Sequence, residues 1–321
     1  MWGMTVRSWN RPLLALTGAM VLLALVCVGG LLLDPRVLGG QPIWAKPLKF
    51  SVSLAVYSPT LAWMVSLVRG DRAHRVASSA ATVVALAGAI EMVAIVGQVI
   101  RGRASHFDVA TPFDTAVWGV MAVSIVVLWL ANLVIAVMLL RERSLTPSIA
   151  WGVRLGLAVS LLGMAVAFLM TSPTGAQIQA AKATGALPVS GAHAVGVPDG
   201  GPGLAFLGWS TTGGDLRIGH FVGLHGLQVV PLVALGLLVL AARVPRLRSE
   251  LVRTRLVLVA AAAWTGLTLL LTWQALRAQP LLAPDALTLA VAGGLVVGTA
   301  LAVVLVLARA PRPAPREAVA A

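Results

Sequence analysis

Long apolar stretches alternate with short polar ones along most of the chain. Eight of them, 12–33, 47–69, 76–100, 113–140, 149–171, 216–242, 252–276 and 286–308, lie near the ~20 residues a helix needs to cross a bilayer core. A soluble helix keeps one polar face. Most of these stretches are apolar all round. The pattern predicts an all-α, polytopic protein with about eight transmembrane helices in a single domain, 1–321. The first stretch follows Arg7 and Arg11 as a signal peptide would, but its apolar run is too long. No small-residue cleavage site comes before Asp34 and Pro35, so a retained helix is expected.

Charge orients the spans. With the N-terminus in the cytoplasm, the inner segments hold 16 basic residues and the outer segments 8. That is the asymmetry of the positive-inside rule. An N-in/C-in, multi-pass protein of the bacterial cytoplasmic (inner) membrane is expected, with 309–321 as a disordered basic tail. Composition agrees, with 59% hydrophobic and 11% charged residues. A soluble domain carries about 25% charged residues. The preference for Arg over Lys, with the Ala/Val/Leu/Gly bias, suggests a GC-rich bacterial genome. The net charge of +13 raises nucleic acid as a partner. The basic residues are scattered over short loops with no aromatic-interleaved patch, so nucleic acid is excluded and the lipid bilayer is the expected partner. Cys27 is the one cysteine, which rules out a disulfide within the chain and a thiolate metal site. No internal repeat is visible, so an inverted-repeat transporter is not supported.

The outer connections are the longer ones, and 172–214 is the longest. It is rich in Gly, Ser, Thr and Pro. A connection this long is functional or disordered. Its second half, with Leu204 and Trp209, is expected to fold back over the helix ends. The span that follows opens Asp215-Leu-Arg-Ile-Gly-His-Phe-Val-Gly-Leu-His-Gly-Leu-Gln, with Asp215 as a plausible N-cap. On a continuous helix Arg217, His220, His225 and Gln228 share an arc of roughly 140°. Glu91 is the only acidic residue well inside a span, about 15 Å below the outer end. An intramembrane carboxylate is a functional-site hypothesis by default. Its bland reading is a structural pair with Arg217 or an outer lysine. Asp114, just after Thr111-Pro112, reads as a helix cap or as an outer catalytic carboxylate.

Four of the five histidines, His106, His193, His220 and His225, fall on the outer side; His74 is inside. Histidine is the commonest metal ligand and titrates near neutrality. Together with Glu91 or an outer aspartate they make a candidate open site for a transition metal (Zn, Cu or Fe), or for haem. The five-residue spacing of His220 and His225 needs a π-bulge or ligands from other helices. The catalytic candidates are Glu91, His225 and Asp114. Lys46, Lys49, Arg101, Arg217, Trp209, Gln228 and Asp199 are the candidates for holding a lipid or small-molecule ligand at the outer face. Asp199-Gly-Gly-Pro-Gly also reads simply as a turn, and Lys46 and Lys49 as interfacial anchors. The first functional expectation is a metal- or haem-dependent membrane enzyme or redox protein. The alternatives are a proton-coupled transporter using Glu91 and His225, and a sensor or assembly factor with a partner-binding outer loop.

The segments Lys46-Pro-Leu-Lys-Phe-Ser, Arg101-Gly-x-x-Ser-His-Phe and Gly214-Asp-Leu-Arg-x-x-His-Phe-x-Gly-Leu-His-x-x-Gln, with Asp199-Gly-Gly-Pro-Gly-Leu, make a distinctive combination. In these motifs the chain resembles an uncharacterised family of bacterial polytopic membrane proteins over roughly residues 40–235. The resemblance implies that these segments belong together; it implies no reaction.

Overall fold

The computed structural model describes residues 9–310. Arg7, Arg312, Arg316 and most of the expected basic tail lie outside them. The chain is an all-α polytopic membrane protein. Its long helices are α1 Arg11–Leu33, α2 Ala45–Ser66, α3 Asp71–Ile100, α4 Pro112–Arg141, α5 Pro147–Val166, α9 Glu250–Leu276 and α10 Ala286–Ala308, with one further span divided into α7 Leu216–Leu224 and α8 Gly226–Leu240. A short helix, α6 Gly175–Thr184, lies within the long loop. Among the described residues, seven spans are long and apolar enough to cross a membrane by composition. The eighth, α2, has the length but carries Lys46, Lys49, Ser51, Tyr57, Ser58 and Thr60. It escapes lipid by packing against α1, α3 and α8. Its Tyr57 hydroxyl donates to the Asn132 side-chain oxygen of α4 at 2.6 Å, a bond that satisfies two buried polar groups at once.

Contacts between distant loops sort the helix ends onto two faces. One, the basic face, joins the Arg69 amide to Glu142 and the Ser148 amide to Glu250. The other, the loop face, joins Arg36 to the Ile100 carbonyl and Lys46 to His106. The helices cross where small residues permit. A methyl group on Gly163 of α5 would overlap the backbone of Gly223 and Leu224, so α5 and α7 touch main chain to main chain. The peripheral helix α10 packs on α9 and leaves nearly all its apolar surface outward, as lipid contact requires.

The sixth span departs from the sequence expectation, because the helix breaks at His225. Pro231 has no N–H to donate to the preceding turn. The indole N–H of Trp264 donates to the Val222 carbonyl at the break, at 2.8 Å. Non-helical backbone at membrane depth survives only with such partners. The span is therefore two helices rather than one, and the His225 ring still meets Gln228 across the break.

Candidate functional site

The loop face is assembled from three segments. Thr174 and Gln177 form a capping box that starts α6, and its signal in the sequence is Thr-x-x-Gln. The chain then returns along the α3–α4 connection. The Val109 amide donates to the Pro188 carbonyl and the Ser190 amide to the Phe107 carbonyl, both at 2.9 Å. Next, the two-residue strand β1, Ala194–Val195, pairs antiparallel with β2, Gly214–Asp215, and ties the loop to the start of α7. The stretch between them reaches the α1–α2 turn, where Gly200 lies against Gly40 and the Leu207 carbonyl accepts from Lys49 at 2.8 Å. At Gly191, φ is +118° and a methyl group would strike Phe107 and the Met170 carbonyl, so only glycine closes this turn.

Phe107 has φ of +67°, strained for an aromatic residue. In return its ring packs against His106, Trp118 and His193, with the His193 ring centroid 4.8 Å away. Two histidines from distant segments are thereby held beside one aromatic ring. Phe107 ends the Arg-Gly-x-x-Ser-His-Phe motif, but only the fold shows its place between the two histidines.

His106, His193, His220 and His225 each have a partner on Nδ1, and the partners fix the tautomers. The Lys46 ammonium has only protons to give, so at 3.0 Å it donates to His106 Nδ1 and leaves the proton on Nε2. His193 Nδ1 donates to Asp199 Oδ2 at 2.7 Å. His220 Nδ1 donates to the Gly163 carbonyl at 2.8 Å, and His225 Nδ1 to Gln228 Oε1 at 3.2 Å. The last three therefore present an Nε2 lone pair. Among the described residues, however, no three His, Cys, Asp or Glu side chains converge as a metal-holding group. The ligand set expected from His106, His193, His220 and His225 with a carboxylate does not assemble, because its members sit on four different supports, each oriented by its own bond. Among the described residues the three-ligand centre expected for a transition metal is not formed.

The carboxylates divide clearly. Asp114 is fully buried and tied on both oxygens. It accepts from Gln98, Arg101, Arg103 and the Thr111 hydroxyl at 2.9, 2.7, 3.0 and 2.6 Å. It closes the turn at the start of α4, and Arg101 of the ligand-binding expectation is committed to it. Arg217 is likewise committed, to Asp215 at 2.6 Å and to the Gly208 carbonyl. Asp199 accepts from the backbone amides of His193 and Ala194 as well as from the His193 ring. Glu91 is buried and accepts from Ser124, yet its Oε2 has no partner. The Gln228 side-chain nitrogen is also buried without one. Trp209 packs on Phe221, which packs on His225 at 4.3 Å. Lys49 donates to Gln41 and to the Leu207 carbonyl, and Lys46 to His106; among the described residues neither lysine meets a carboxylate. Lys46 is within electrostatic reach of Arg217, Glu91, Lys49 and Asp199.

Burial lowers the proton affinity of His106 well below the usual histidine range, and the charge on Lys46 lowers it further. Burial also lowers that of His193, against the opposing hydrogen bond to Asp199. For Asp199, burial pushes upward, but the bonds from His193 and two amides win and bring it down to about 2. Both members of the pair thus hold protons more weakly folded than unfolded. Their contribution to stability is complete above the ordinary histidine value of about 6.5 and is lost as pH falls, because the unfolded chain takes up the protons first. Hydrogen exchange, corrected for its intrinsic rate, should show residues 193–215 losing protection between neutral pH and about pH 5 while α5 and α9 keep theirs. His193→Gln should flatten that dependence. Protection that ignores pH in the unaltered protein would overturn this account.

No protein-family model matches the chain, and no curated protein or solved structure matches it.

Proposed function

We propose that this chain is a protein of the bacterial cytoplasmic membrane whose loop face, directed away from the cytoplasm, binds an anionic group and exchanges protons with it. The observation that carries this reading is the pair Lys46 and Lys49. They stand three residues apart on the first turn of α2, half-buried under the long loop, with no acidic partner among the described residues. Like charges at that spacing repel. Partly desolvated cations call for a counter-charge. A phosphate or carboxylate, on a lipid headgroup or a small solute, supplies one. Beside the lysines, the His193–Asp199 pair offers an oriented imidazole with a free Nε2, the arrangement of a general base. The segments that carry the family resemblance all contribute to this face, and we take that family to share the site.

Thermal shift in detergent with inorganic phosphate, and in nanodiscs of phosphatidylglycerol against phosphatidylcholine, tests the reading. The unaltered protein should be stabilised by at least one of these anions. The double variant Lys46→Met with Lys49→Met should lose that gain, by roughly fivefold in affinity per lysine. Equal stabilisation of the double variant, or no response of the unaltered protein to either anion, would defeat the proposal.

A further inference from the structure

A second cationic site lies at the opposite end of the bundle. A cavity of about 510 Å³ opens on the basic face between the α2–α3 turn and the end of α4. That volume is within the usual range for small-ligand sites. Arg69, Arg72 and Arg141 line it together with Glu142. Glu142 does not neutralise them. Its two oxygens accept from the Arg69 and Ser144 backbone amides, at 2.7 and 2.8 Å, and its carbonyl accepts from Arg154. Arg154 itself is committed there and to the Leu139 carbonyl. The guanidinium groups of Arg69, Arg72 and Arg141 make no hydrogen bond or ion pair among the described residues. The lining therefore carries three positive charges against one negative.

The rest of the wall is apolar. Val68, Val76 and Met138 contribute to it, and Val76 is exposed on the outside of α3. A cationic mouth joined to an apolar wall at a helix end matches an amphiphile with an anionic head and a hydrocarbon tail. A free anion would satisfy the arginines but would leave the apolar wall wet. We infer that this cavity binds the phosphate of an anionic phospholipid from the leaflet at the basic face, with one acyl chain running along Val76 and Met138. Basic pockets between helices on the cytoplasmic side are suited to such headgroups. Guanidinium is the better cation for the task, because its fork donates two parallel bonds to a phosphate. This site is separate from Lys46 and Lys49 and stands or falls independently of them.

Native mass spectrometry of the full chain, released from nanodiscs of phosphatidylglycerol mixed with phosphatidylcholine, reads the outcome. The unaltered protein should retain phosphatidylglycerol preferentially. Arg72→Gln and Arg141→Gln should each weaken retention about fivefold, and the triple variant with Arg69→Gln on the order of a hundredfold. Arg309→Gln, a basic residue outside the cavity, should leave retention unchanged. If the triple variant is unstable, the two single variants carry the test. Equal retention of the two lipids overturns the inference. So does an equal loss in Arg309→Gln, which would mean general attraction to a basic rim. Displacement of the lipid by millimolar inorganic phosphate overturns it too, since the site would then be one for a soluble anion.

Discussion

Asp114→Ala should lower the stability of the loop face by about 3 kcal/mol and release the α3–α4 connection before the membrane core yields. Removing one partner of a buried ion pair costs about 3–5 kcal/mol when the other charge stays buried. Here the Arg101 and Arg103 side chains keep 39% and 38% of their exposure, so water recovers part of that loss. The lower part of the range applies. The Thr111 hydroxyl loses its bond to the carboxylate, but it still accepts from the backbone amide of residue 114, so the cap of α4 survives. Asp114→Asn should be intermediate, since it keeps an acceptor and loses the charge. Thermal unfolding, with hydrogen exchange over residues 98–115, measures both. If Asp114→Ala melted with the unaltered protein, the hub assigned to this residue would not exist, and the catalytic reading of Asp114 would regain its interest.

Glu91→Met should do the opposite to stability while removing function. The side chain is buried within α3 and has one oxygen unpartnered. A buried polar atom without a partner costs about 1–3 kcal/mol. Methionine fills a similar volume, and Ser124 keeps its bond to the Met121 carbonyl. A gain of about 1–2 kcal/mol is expected, the usual sign of a group retained for a purpose other than folding. Loss of pH-coupled solute uptake in vesicles alongside that gain would favour the relay role weighed for Glu91 from the sequence. Retained stability with loss of anion binding at Lys46, whose field reaches Glu91, would place it with the anionic ligand instead. A destabilised Glu91→Met would contradict the account of an unmet carboxylate.

Anionic ligands are proposed at both faces, but the two sites differ in kind. The lysines of α2 lie beneath a folded loop and beside an oriented imidazole, as a place for chemistry on a bound group requires. The arginines of the basic face line a cavity with an apolar wall and no titrating neighbour poised to act, as lipid attachment requires.

The sequence by itself determined the spans, their alternation between two faces, and the gathering of odd polar residues at one of them. Those features follow from apolar length and loop charge, which are local properties. The polar helix α2 was legible as a span through its length alone, because its neighbours shield it. The tertiary structure decided what the polar residues do. Asp114 read as a helix cap or a catalytic carboxylate and Arg101 as a ligand contact; the two are tied to each other at the start of α4, because the α3–α4 connection folds back on its own helix ends. His220 and His225, five residues apart, were expected to need a π-bulge or ligands from other helices; the helix instead breaks at His225, where Trp264 from α9 satisfies the opened backbone, and the two rings are held by different partners. Ser124, an isolated hydroxyl in α4, could have been read as the partner of Glu91; no pattern in one chain pairs two helices. Phe107 was legible only as the end of a motif, since its backbone angle and its place between two histidines are fixed by a loop some eighty residues away. Apolar periodicity acts within one element. Hydrogen-bond partners and cavities form between elements, and only the packed chain sets them.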